Sequence, residues 1–127
     1  MKPIAFSLTA VATLTLAATA QAGCWATVGL SSLPNGLGAG DQWNVAITVK
    51  QHGRTLLANA KPTVTITSTA GKKTVVRAQK TARKGVYRAR VVFPTAGDWR
   101  YTIFDGFVPS CGSEHTYPKV TIAATKD

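Results

Sequence analysis

Residues 23–127 predict an all-β domain, a single seven-stranded antiparallel immunoglobulin-like β-sandwich, on three observations. Apolar residues recur with period two in short runs, turn residues punctuate those runs, and no stretch sustains a helical period. Seven such runs with turns roughly every ten residues are the pattern of two packed antiparallel sheets. The expectation leaves no room for a helix longer than a turn or two.

Residues 1–22 read as an export signal rather than as part of the fold. Lys2 supplies the positive start, Ile4 to Ala18 is apolar except for small hydroxyl residues, and Ala20-Gln21-Ala22 is a small-x-small cleavage pattern. The run is too short to span a bilayer comfortably, and no later stretch approaches ~20 apolar residues. The mature domain then begins at Gly23, and the expected location is periplasmic or extracellular.

The first strand is short, with Ala26, Val28 and Leu30 alternating with Trp25, Thr27 and Gly29. Gln42 to Lys50 is the clearest: Trp43, Val45, Ile47 and Val49 share one face, and Asn44, Ala46 and Thr48 the other. Thr63 to Ser68 sets Val64 and Ile66 against threonines, and Thr74 to Gln79 is a weaker run. Val86 to Phe93 turns Tyr87, Ala89, Val91 and Phe93 inward and Arg88 and Arg90 outward. Trp99, Tyr101 and Ile103 alternate with Arg100, Thr102 and Phe104, and Val120 with Ile122 completes the seventh strand. Pro34-Asn35-Gly36, His52-Gly53, Ala70-Gly71, Lys84-Gly85 and Ala96-Gly97 are the intervening turn signals. Inward Trp43, Tyr87, Phe93, Trp99 and Tyr101 are the expected core.

Two cysteines remain in the mature part, Cys24 and Cys111, and an even pair in an oxidising compartment reads as a disulfide. Lipidation of Cys24 is the competing reading. It is disfavoured by Gln21, which stands where a lipobox carries an aliphatic residue. The disulfide would tie the long connection Phe104 to Pro118 back to the N-terminus. That connection carries Asp105-Gly106, Pro109, Cys111-Gly112 and Pro118, so it cannot be strand throughout. Phe104, Phe107, Val108 and Tyr117 within it are either an exposed partner-docking cluster or packing beneath the end of the sandwich.

The chain has 15 Lys and Arg against 5 Asp and Glu, a formal charge of +10. From Lys72 to Arg100 the only acid is Asp98. Arg88 and Arg90 share an outward face, and Arg77 and Lys80 on the neighbouring hairpin arm are expected to join them as an anion-binding patch. Outward strand positions are polar in any case, and lysine or arginine also guards sheet edges. Basic residues are not interleaved with exposed aromatics, which argues against specific nucleic-acid binding.

The pieces Gly85-x-Tyr87-x-Ala89-x-Val91 and Phe93-Pro94-x-x-Gly97-x-Trp99, with Trp43-x-Val-x-Ile-x-Val and Gln51-His52-Gly53 before them, resemble the FixH/YtkA-like extracytoplasmic domains. The resemblance spans most of residues 25–107. It implies an immunoglobulin-like fold and a non-enzymatic role outside the cytoplasm, with copper handling or oxidase assembly as the alternative. After the leader the only histidines are His52 and His115, and no methionine remains. Two histidines fall short of the three or four convergent ligands a metal site needs, so no cofactor is expected. No nucleophile or metalloprotease motif is present, and the loop trio Asp105, Ser110 and His115 is not by spacing a catalytic arrangement. The expected partners are a protein, or an anionic polymer or lipid of the envelope.

Overall fold

The computed structural model describes residues 24–107 and 111–125 of the chain. The expected export signal, residues 1–22, and its expected cleavage site lie outside the described residues. Among the described residues there are ten strands and no helix. They are β1 (Ala26–Leu30), β2 (Gln42–Gln51), β3 (Thr55–Leu56), β4 (Thr63–Ser68), β5 (Lys73–Arg77), β6 (Gln79–Lys80), β7 (Val86–Val92), β8 (Gly97–Phe104), β9 (Glu114–Thr116) and β10 (Val120–Ile122).

One sheet runs β1-β2-β7-β6 with β3 also on β2, and the other runs β10-β8-β4-β5 with β9 also on β8. All strand pairs are antiparallel. The period-two pattern sets the register: Trp43, Val45 and Ile47 of β2 lie opposite Val91, Ala89 and Tyr87 of β7, all buried. In the second sheet buried Val64 and Ile66 lie opposite buried Ile103 and Tyr101. The two inner faces close over one core, in which Trp43 meets Tyr101 edge-on at 5.5 Å between ring centroids and Phe93 meets Trp99 edge-on at 5.6 Å. The polar ends of these rings are satisfied: Trp43 Nε1 donates to Ser32 Oγ at 3.0 Å and Trp99 Nε1 to the Thr95 carbonyl at 2.9 Å.

The seven expected strands are all present in outline, and the additional three have physical causes. The run Thr74 to Gln79 is not one strand. It leaves the second sheet after Arg77, and Gln79 and Lys80 pair with β7 in the first sheet. The hinge is Ala78, whose N–H donates to the Pro62 carbonyl at 3.0 Å. The short β3 folds back on β2 through His52 and Gly53, both with positive φ (54° and 70°), the backbone of a primed hairpin turn. The long connection also gains β9, which pairs with the end of β8.

Gly106 follows β8 with φ of 69° and lies against the backbone of Lys61, whose N–H donates to the Gly106 carbonyl at 3.2 Å. A Cβ here would overlap the Lys61 main chain. Gly106→Ala is therefore expected to cost about 3 kcal/mol or more, from left-handed strain plus displaced backbone. A urea unfolding curve superimposable on wild type would show the two segments are not held this closely.

Candidate functional site

The basic residues project as the pleat dictates, but they do not form the single patch expected. Arg88 and Arg90 are exposed on the outer face of the first sheet, opposite Ala46 and Asn44. Arg77 belongs to the second sheet, opposite Thr63, and Lys80 lies opposite the inward-facing Tyr87. The switch of sheets at Ala78 carries Arg77 into the second sheet. Lys80 stays in the first sheet with Arg88 and Arg90, but its register opposite inward-facing Tyr87 keeps it off their outer face.

Arg77 and Lys80 instead come together at the side of the sandwich, where with Lys61 they line an open groove of about 710 Å³. Lys80 Nζ donates to Asn59 Oδ1 at 3.3 Å. Tyr87 forms part of the groove wall, its hydroxyl donating to the Leu57 carbonyl at 2.6 Å and accepting from the Ala60 N–H at 2.9 Å. Lys119 is the only lysine or arginine in an ion pair among the described residues, at 3.1 Å from Asp98 Oδ2. Asp98 accepts from the Thr121 hydroxyl at 2.8 Å and from Lys119, and these hold its carboxyl below the usual range. Asp41 caps its own turn, accepting the Gly38 N–H at 2.8 Å.

At the opposite end of β8 from Asp98, Cys24 and Cys111 form a disulfide with Cα atoms 5.2 Å apart, closing a separation of 87 residues. Beside it sits the side chain that spacing alone did not reveal. Asp105 is fully buried, and its carboxylate accepts the Phe107 N–H at 2.9 Å, the Ser113 N–H at 3.3 Å and the Ser113 hydroxyl at 3.4 Å. His115 Nε2 lies 2.9 Å from the same carboxylate. Buried carboxylates are stable only when so satisfied. The bond to Phe107, two residues on, is an Asx turn, which Asp105-Gly106 does foreshadow. The donors eight and ten residues away carry no comparable signal. Ser113 bonds the carboxylate and not the imidazole, so it is not placed as a nucleophile activated by His115. Ser110 lies outside the described residues.

Phe104, Phe107 and Tyr117 do not make an exposed docking cluster. All three are half-buried, Phe107 and Tyr117 pack against the core, and the Phe104 ring lies beneath Gly112. Apolar rings close to a core edge lose more water by packing than by display, and that outcome prevails here. Among the described residues the exposed large apolar ones are Trp25, Leu33, Val75 and Val92. His52 lies against Trp25, with ring centroids 5.1 Å apart. His115 is engaged by Asp105, and both cysteines are in the disulfide. Among the described residues no three His, Cys, Asp or Glu converge as a metal would require, so the residues present do not fit a copper centre.

Tyr101 and Tyr117 stack at 5.1 Å with planes 8° apart, and burial raises both hydroxyls above their usual value. The neighbouring Tyr101 adds to the shift at Tyr117. Folding therefore favours the protonated phenols. Their contribution is complete below the unfolded value of about 10 and is lost as pH rises above it. Tyr117→Phe is expected to blunt the loss of melting temperature between pH 9 and 11, about the phenol range. An identical decline in wild type and variant would show that the stack does not couple to ionisation.

The YtkA-like family model matches residues 26–104, more than half of the chain, and the protein belongs to that family. A search of curated proteins finds no match. No helix among the described residues is long and apolar enough to cross a membrane. The disulfide is consistent with an exported protein.

Proposed function

We propose that the protein is an exported, non-enzymatic binding module of the cell envelope, attracted to its protein, polymer or lipid partner by that partner's negative charge. The observation that supports this reading is the unneutralised cationic surface. Arg88 and Arg90 stand exposed on one sheet, Arg77 and Lys80 on the rim of the groove, and only Lys119 has an acidic partner among the described residues. Such a surface raises the local concentration of anionic partners and speeds their encounter. The Asp105–Ser113–His115 cluster is read as structural, because its carboxylate is spent on holding the loop.

Retention of the exported protein on an anionic matrix tests this reading. Replacing Arg77, Arg88 and Arg90 with glutamine is expected to abolish most retention at low salt. The fold should be unaffected, since exposed positions change stability by under ~0.5 kcal/mol. Unchanged retention in the triple variant would reduce these residues to a solvated surface.

A further inference from the structure

The groove at the side of the sandwich has a composition that a solvated edge does not require. Three cations line it, Lys61, Arg77 and Lys80, and no carboxylate does. Lys80 is held by Asn59 Oδ1, an arrangement that leaves the Asn59 amide N–H groups and the remaining lysine protons free to donate. The Gln79 side chain adds another amide to the wall. The Tyr87 hydroxyl is held between the Leu57 carbonyl and the Ala60 N–H, so the wall beneath is fixed rather than adaptable. Between the polar groups lie the apolar surfaces of Ala60, Pro62 and Ala78.

A cleft rich in donors and positive charge is complementary to a ligand rich in acceptors and negative charge. Its volume of about 710 Å³ is far more than one oxyanion fills and lies within the range of small-molecule sites. Amide groups interleaved with small apolar surfaces match a sugar ring, which presents hydroxyls at its edge and C–H groups on its face. We propose that this groove binds an acidic sugar, a ring bearing a carboxylate or phosphate, as it occurs in an anionic polysaccharide. The site rests on the anionic-partner reading above and gives it a location and a ligand class. Arg88 and Arg90 are on the outer face of the first sheet and do not line the groove.

The test is titration of the protein as isolated after export with glucuronate, glucose phosphate, neutral glucose and inorganic phosphate, followed by amide chemical shifts. Both acidic sugars are expected to bind, shifting resonances around Asn59, Ala78 and Lys80, while glucose and inorganic phosphate bind at least about tenfold more weakly. The double variant Arg77→Gln/Lys80→Gln should lose about tenfold or more in affinity for the sugars, with an unchanged melting temperature. Arg88→Gln/Arg90→Gln should change it by less than about twofold. Equal binding of glucose, equal binding of inorganic phosphate, or equal losses in the two double variants would overturn the groove as an acidic-sugar site. Retention on a polyanion without binding of either sugar overturns the groove alone, and binding of neither kind overturns both readings.

Discussion

Replacing Cys24 and Cys111 together with serine is expected to lower the unfolding free energy by about 4 kcal/mol and the melting temperature by about 20 °C. The bond closes a separation of 87 residues, so its loss releases most of the described chain from a constraint on the unfolded ensemble. It also joins the start of β1 in one sheet to the loop following β8 in the other. No free thiol should be titratable before reduction in protein purified from an oxidising compartment. Urea unfolding of the double-serine variant measures the cost. A loss under about 1 kcal/mol would mean that the Asp105 hydrogen bonds hold this end without covalent help.

Asp105→Ala is expected to cost a similar amount, about 4 kcal/mol, by a different route. It strips the acceptor from the Phe107 and Ser113 amides and the partner from His115 in a site without water access to the carboxylate. Asp105→Asn keeps one acceptor oxygen and should cost roughly half as much. The damage should be local first, seen as faster hydrogen exchange at Phe107 and Ser113 while the amides of β2 and β7 stay protected. Because the carboxylate and the disulfide secure the same loop, their losses should combine non-additively. Strict additivity, or unchanged exchange at Ser113, would show that the hub does not organise the loop.

What could be read in advance, and what could not, follows from the range of the interactions. Trp43, Val45, Ile47 and Val49 announce their face because one-sided burial imprints a period of two, and the aromatic core follows from the same rule. The cysteines pair by number alone. The break at Ala78 leaves no trace, because the two-residue β6 is too short to show a period. That hidden change of sheet took Arg77 out of the expected patch of four cations, and the register of Lys80 opposite Tyr87 took Lys80 off the outer face of Arg88 and Arg90. Asp105 was visible as a loop acid, but its partners Ser113 and His115 converge only once β9 pairs with β8. The rings of Phe107 and Tyr117 lie in a connection whose burial depends on that same small strand.

The proposed binding role stands on electrostatic attraction, and salt tests it most directly. The measurement is the affinity of the protein for an acidic polysaccharide between low and physiological ionic strength, beside an uncharged polymer of equal length. Binding that is firm at low salt, falls steeply as the screening length shrinks to ~8 Å, and is absent for the uncharged polymer is the expected result. Affinity that is indifferent to salt, or equal for the uncharged polymer, would contradict it.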